Sequence, residues 1–314
     1  MDAVDELLSI RAAELYYEEN LTQEEIGRSL RITRWKVGRL LSQAKEAGFV
    51  RIEILHSRAR RVPLERRLRD ERGLTDALVV SRAGVESEDE LQRRVAQAAA
   101  DYLSTMRPSP RTLGVSWGRT LSEIAHQLRT GWSTGTDVVQ INGGVSLTHR
   151  PGTAAATAVA IAQKGGGTAT LLPSPAILER RETKEAIEAD RVVASVMDLA
   201  GAADAYLFSA GAADHRSVHV DSGYLAPVDI DRLVDHGAVG DVVGRYVDAK
   251  GFIVDPELDA RTVGLSLDAL RSAPVAIAAI AGKPKHAIAA AVVGSGLCTA
   301  LITDEATALH LLEG

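Results

Sequence analysis

Two groups of side chains in this chain are of types and spacings that could do chemistry. The first lies in the stretch LTQEEIGRSLRITRWKVGRLLSQAKEAGFV, residues 21–50. At about 100° per residue, Trp35, Arg39 and Ser42 fall on one side of a helix, with Lys36 and Gln43 beside them and Arg34 at its start. Long donors near a helix N-terminus can reach base edges in a DNA groove, and cations there can meet phosphate oxygens. Trp35 and Arg39 are therefore expected to read bases, with Thr22, Thr33, Arg34 and Lys36 anchoring or reading around the helix start. From residue 28 to residue 58 there are eight Lys or Arg against two Glu, a local +6 in a chain of net charge −6. Such a local excess is what a DNA-contacting surface leaves in an acidic protein.

The second group sits on four loops. Ser116, Trp117, Gly118, Arg119 and Thr120 lie in GVSWGRTL, where a strand-like run enters a helix with Thr120 and Glu123 spaced as a capping box. A glycine-containing turn at a helix N-terminus offers free N–H groups and a favourable dipole end to an anion, so this turn could cradle a phosphate. Asn142, Gly143 and Gly144 follow the next strand-like run, and paired glycines would let a ligand approach the backbone. Asp241 and Asp248, in GDVVGRYVD, could accept from sugar hydroxyls. Lys285, in AGKPKH, could meet a phosphate. Each feature alone also fits a plain turn or a solvated side chain.

Other chemistries lack support. His215 and His219 with Asp214 and Asp221 invite a metal, but the intervening Ser-Val and following Ser-Gly look like loop and strand rather than a helix that would align both rings, so no metal site is expected. No nucleophile, base and orienter emerge as a set, so no catalytic residue and no cofactor are expected. The single cysteine, Cys298, lies in apolar GSGLCTALI, excludes an intramolecular disulfide and fits a reducing cytoplasm.

These residues need elements to position them. Thr22 with Glu25 is a capping box that starts a short helix; Thr33 caps a second, whose apolar residues Val37, Leu40, Leu41 and Ala44 follow the i, i+3, i+4, i+7 rule. A helix over residues 7–19 braces the pair, and residues 50–55 alternate like a wing or edge strand. Residues 57–74, SRARRVPLERRLRDERGL, suggest a linker and a polar helix able to serve as an oligomerisation hinge. From residue 77 onward strand-like and helix-like runs alternate, including one long helix over residues 182–199. That alternation implies a largely parallel sheet covered by helices on both faces, with ligands beyond the carboxyl ends of the strands.

The expected domains are therefore an all-α, winged helix-turn-helix over residues 1–56, a linker over 57–74 and an α/β effector-binding domain over 75–314. At 46% hydrophobic the chain can fill a substantial core, although aromatics are only 4%. Its acidic start, MDAVDELL, does not look like a secretory signal, and no apolar run suits a membrane span, which again points to the cytoplasm.

Taken in order, LTQEEIGRSLRITRWKVGRLLSQAKEAGFVRIEI, GVSWGRTL, QINGG, LPSPAIL, GAVGDVVGRYVDAKG, AGKPKHAIAAAV and LITDEATA resemble the SorC family of bacterial transcriptional regulators over about residues 7–312. The resemblance implies a helix-turn-helix joined to a sugar-binding domain similar to phosphosugar isomerases and deaminases but without their activity. It also implies operator DNA as a partner, a homodimer or homotetramer, and a sugar, polyol or phosphosugar effector at the loops above. Two departures stand out: Gly38 replaces a common Ser in the second capped helix, and residues 145–161, VSLTHRPGTAAATAVAI, are Ala-rich where many members carry charges. Asn142 also lacks the amine that a lysine would offer for an imine. The alternatives are a deoxyribose-repressor-type regulator of another family, or a phosphosugar isomerase-like enzyme with a DNA-binding head.

Overall fold

The structure, a computed structural model, describes residues 3–50, 60–144 and 154–313. The chain divides into two compact units, residues 1–55 and 56–314. The expected wing at 50–55 lies almost wholly outside the described residues, as does the first part of the Ala-rich segment, 145–153.

The smaller unit is built from α1 (Ala3–Tyr17), α2 (Gln23–Leu30) and α3 (Arg34–Glu46). Local chemistry sets its boundaries. The Thr22 hydroxyl accepts from the Glu25 amide at 3.3 Å and Glu25 Oε2 accepts from the Thr22 amide at 2.9 Å, so two otherwise orphaned donors at the start of α2 are satisfied. Arg31, in the left-handed region at φ 53°, ends α2, and the Thr33 hydroxyl accepts from the Lys36 amide at 3.2 Å to open α3. Val37, Leu40, Leu41 and Ala44 are buried against Ala12, Leu15 and Ile26. Around Gly38 a Cβ would meet only Gln23 Oε1, at 3.4 Å; nothing in the structure explains the glycine there. Replacing Thr22 by alanine is expected to cost this unit about 1 kcal/mol, read as a lower midpoint for its transition in urea denaturation followed by circular dichroism.

The larger unit is organised on seven parallel strands: β1 (Asp76–Val80), β2 (Thr112–Val115), β3 (Asp137–Gln140), β4 (Ala169–Thr170), β5 (Ala205–Phe208), β9 (Ala276–Ala279) and β10 (Ala300–Asp304). Their order is β1-β10-β9-β5-β2-β3-β4, with Asp76 opposite Ala300 and Thr112 opposite Asp137. On one face, α5 (Glu88–Thr105), α6 (Arg119–Gln127) and α7 (Ala154–Lys164) bury Leu91, Ile124 and Ile161 over Leu113 and Ile277. On the other face lie α4 (Val62–Arg72), α9 (Arg191–Gly201) and the helices His286–Gly294 and Glu305–Glu313, contributing Leu68, Val196, Ile288 and Leu311. A separate antiparallel sheet is formed by β6 (Ala210–Ala212), β7 (Gly240–Val242) and β8 (Arg245–Val247). Among the described residues no helix is long and apolar enough to cross a membrane.

Two local expectations are corrected, and the polar helix expected before the α/β domain is found in place. The helix over residues 182–199 is two helices, α8 (Arg181–Glu188) and α9, because the Asp190 carboxylate accepts from the Val192 amide at 2.9 Å and restarts the chain. Thr120 does not cap α6: the N-cap is Gly118, without a side-chain hydrogen bond, and the Thr120 hydroxyl instead accepts from Gln92 Nε2 at 2.8 Å. Finally, the polar helix within residues 57–74 has an anchored inner side. Leu68 is fully buried, and the buried Glu65 carboxylate accepts from the Val79 amide at 3.0 Å and from both arms of the Arg60 guanidinium. A carboxylate removed from water needs such donors, and here they tie α4 to β1.

Candidate functional site

The carboxyl ends of four neighbouring strands, β9, β5, β2 and β3, open into a cavity of about 350 Å³. Parallel strands point their chain exits the same way, so the loops leaving them converge. The β2–α6 turn brings Ser116 to Thr120, β3 ends at Asn142, the β6–β7–β8 sheet presents Asp241, and the loop after β9 presents Lys285.

Each group is held differently. The Ser116 amide donates to the Leu207 carbonyl at 3.0 Å, and Trp117 Nε1 donates to the Gly143 carbonyl at 2.8 Å. α6 therefore starts at the cavity with no side chain covering its first amides. Arg119 extends across the opening to donate to the Arg216 carbonyl at 3.1 Å. Asn142 is buried, and its Oδ1 has no hydrogen-bond partner among the described residues. A buried, unpaired acceptor is costly unless a ligand or water supplies a donor.

Asp241 is buried and accepts from the Gly244 amide at 3.1 Å through Oδ2. Its other oxygen fills the space where a Cβ on Gly211 would sit, so a side chain there would push the carboxylate aside. The β7–β8 turn that supplies the Gly244 amide holds Val243 at φ 49°, an uncommon conformation for a β-branched residue. Lys285 Nζ lies 3.4 Å from Ser209 Oγ. Burial lowers its ammonium to about 8, the Asp241 carboxylate opposing that shift and the Arg119 guanidinium adding to it. His219, also buried, shares a 3.1 Å hydrogen bond between Nδ1 and the Tyr246 hydroxyl, and Trp117 meets the imidazole edge-on. Burial, with the nearby Asp241 charge, raises Tyr246 far above the ordinary phenol range, so its hydroxyl stays protonated.

The cavity thus gathers Ser116, Trp117, Gly118, Arg119, Thr120, Asn142, Asp241 and Lys285 but not Gly143, Gly144 or Asp248. The two glycines face protein: a Cβ on Gly143 would strike the Pro175 carbonyl, and one on Gly144 would strike Ala154 and crowd Trp117. Asp248 holds a turn, accepting from the Lys250 and Phe252 amides at 2.9 Å each. His219, Ser209 and Asp214 line the cavity although the sequence did not mark them as its residues. The spacing of His219 from His215 suggests only a metal ligand pair, yet His215 pairs with Asp231 at 2.7 Å on the surface while His219 faces inward. Among the described residues no group of three or more His, Cys, Asp or Glu could hold a metal ion.

In the smaller unit, Trp35 is 89% exposed, and Thr22, Thr33, Arg34 and Arg39 are exposed as well. Lys36 is partly engaged, its Nζ 3.4 Å from Asp5 of α1. An indole so fully in water on a folded helix contributes nothing to the core of its own unit.

A cationic, aromatic helix face on one unit and a polar cavity at the strand ends of another are features that a ligand-controlled DNA-binding regulator requires. Residues 58–313 match the family described as "Putative sugar-binding domain". The chain is 30% identical to the transcriptional regulator LsrR of Klebsiella pneumoniae, covering 98% of this chain and 93% of that one. It is 29% identical to the deoxyribonucleoside regulator of Bacillus subtilis, covering 100% and 99%. The solved full-length sorbitol operon regulator SorC of Klebsiella pneumoniae superposes with a TM-score of 0.72 at 25% identity, over 99% of this chain and all of that one. The chain belongs to the SorC family of sugar-binding-domain transcriptional regulators.

Proposed function

We propose that this regulator senses a phosphorylated sugar or polyol in the cavity at the strand ends and works in the cytoplasm on a two-fold operator as a homodimer or homotetramer. The observation that carries the effector reading is the Oδ1 of buried Asn142, unpartnered among the described residues, in one cavity with Asp241, Lys285 and the uncapped start of α6. An acceptor without a donor and a carboxylate together ask for hydroxyl groups. A helix N-terminus flanked by Arg119 and Lys285 asks for an anion. A phosphosugar carries both. Trp35 and Arg39 read base edges, while Thr22, Thr33, Arg34 and Lys36 hold the backbone. The relatives above are named for a deoxyribonucleoside and for a sorbitol operon, which agrees with a polyhydroxylated ligand here.

In this reading the protein binds its ligand without turning it over, in keeping with relatives that are named as regulators. Ligand binding shifts operator affinity only by its differential affinity for the arrangements that do and do not match the operator. The test is thermal stabilisation against polyols, free sugars and their phosphates. A ligand at about 100 times its dissociation constant adds roughly 2.7 kcal/mol, which a melting scan resolves. Stabilisation by sugar phosphates, absent with the same sugars unphosphorylated, is the expected result. Stabilisation by none of the panel would overturn the reading.

A further inference from the structure

His219 is buried in the wall of the strand-end cavity with half of its hydrogen-bonding capacity unused. It sits in α10 (Val218–Asp221), a single turn opened by Ser217, whose hydroxyl oxygen accepts from the Val220 amide at 3.3 Å. The imidazole is 2% exposed and meets Trp117 and Tyr246 edge-on, with ring centroids 6.3 and 5.8 Å away. Trp117 is itself fixed by its bond to the Gly143 carbonyl. The ring is thus held from both sides, with Nδ1 on the Tyr246 hydroxyl and Nε2 on the side of Gly244. A Cβ on Gly244 would stand 3.8 Å from Nε2, and this nitrogen has no hydrogen-bond partner among the described residues.

The neighbours of the ring decide which nitrogen carries the hydrogen. Tyr246 keeps its one proton, and its oxygen is hydrogen-bonded both to Nδ1 and to the Ser217 side chain. The Ser217 oxygen already accepts from Val220, so its own proton is free to go to Tyr246. Tyr246 then gives its proton to Nδ1, and in the neutral imidazole the hydrogen sits on Nε2. The reverse chain, from Nδ1–H to Tyr246 to Ser217, would leave the Ser217 proton without an acceptor among the described residues. A buried donor with no acceptor is costly, so Nε2–H asks for an oxygen from the cavity. On the other side of the same glycine, the Gly244 amide donates to Asp241 Oδ2 at 3.1 Å. A donor and a carboxylate therefore flank Gly244. A carbonyl or phosphate oxygen could serve only the donor, whereas a hydroxyl accepts from one and donates to the other.

We propose that His219, through Nε2–H, and Asp241 together recognise one hydroxyl group of the effector, and that this contact selects a ligand carrying the hydroxyl over its deoxy counterpart. His219 touches the ligand, while Ser217 and Tyr246 act through it as positioning residues. The inference rests on the reading of this cavity as the effector site and adds the group by which it discriminates among sugars. Discrimination of this kind is sharp because the analogue that lacks the hydroxyl leaves buried polar groups unpaired.

The test is thermal stabilisation of the full chain by ribose 5-phosphate, xylulose 5-phosphate and sorbitol 6-phosphate, by the unphosphorylated compounds, and by the monodeoxy analogues of each. On wild type, removal of one hydroxyl should weaken binding about tenfold or more, the order of cost when a buried donor loses its acceptor. In His219→Leu the ratio of parent to that analogue should fall toward unity. His219→Gln, whose amide can place a donor near the position of Nε2, should restore part of it. A ring that only packs would weaken both compounds together and leave the ratio intact. That outcome, or a wild type indifferent to every hydroxyl, overturns the assignment. Should His219→Leu fail to fold, His219→Phe keeps the ring packing, removes both nitrogens and decides by the same ratio. Stabilisation by unphosphorylated compounds alone would sink the phosphate reading, and their own deoxy analogues would then judge His219. No stabilisation by any compound overturns the effector reading and this inference with it, whereas stabilisation with an unchanged ratio removes His219 alone.

Discussion

An Arg39→Ala protein binds its operator about 5- to 150-fold more weakly than wild type, the cost of losing one base-reading arginine at about 1–3 kcal/mol. The expectation rests on where α3 puts its side chains. Val37, Leu40, Leu41 and Ala44 are locked in the core of the helical unit, which fixes the rotation of the helix and leaves Arg39 outward with Trp35 and Arg34. Because Arg39 contributes to no buried contact, its removal should leave the melting temperature and the effector-induced shift unchanged. A competition binding assay on operator and on scrambled DNA checks the assignment. Loss on the operator with little change on scrambled DNA identifies a base contact. Equal loss on both, with a shallower salt dependence, identifies a phosphate contact instead. Undiminished operator binding sinks the assignment. Lys36 should matter less than Arg39, because its ammonium already has Asp5 for a partner and exchanges one carboxylate for a phosphate.

The helical unit was legible because its determinants are local. A threonine three residues before a glutamate caps α2 whatever surrounds it, and the apolar stripe of α3 follows from helical period alone. The alternation of strands and helices in the larger unit was legible for the same reason, and with it the end of the sheet where a cavity forms. What the sequence hid depends on partners distant along the chain. β6, β7 and β8 are three residues each, too short for any period, and they decide that Asp241 faces the cavity while Asp248, seven positions on, closes a turn. His219 reads as a loop residue until Tyr246, 27 positions away, takes up its Nδ1. Gly143 and Gly144 looked like room for a ligand, whereas their missing side chains make room for Pro175, Ala154 and Trp117. Asp190 sits inside an apolar period long enough for one helix, and only its hydrogen bond to Val192 marks the break.

Lys285 supplies the other large effect, and the sign of its pH dependence separates a phosphorylated from a neutral effector. Burial lowers its ammonium from the ordinary 10.5 to about 8 in the folded protein. The unfolded chain therefore holds this proton more tightly, and the contribution of Lys285 makes the unliganded protein more stable as pH rises from about 8 toward 10.5, with no effect below that window. A phosphate beside the amine reverses the preference, because an anion favours the charged form. Binding of a sugar phosphate at pH 8 should then take up about half a proton, the fraction missing from a group at its midpoint. Its affinity should fall as pH rises above 8. The second ionisation of the phosphate itself lies near 6 and does not enter this window. Calorimetric titration in two buffers of different ionisation enthalpy measures the uptake directly. In Lys285→Met the uptake should vanish and affinity should drop by about 10- to 100-fold, the worth of a hydrogen bond to a charged group. A ligand that binds tightly with no proton uptake and equal affinity at pH 7 and 9 would be a neutral polyol. In that case Asp241 and Asn142 carry recognition, and Lys285 serves only to balance the buried Asp241 carboxylate.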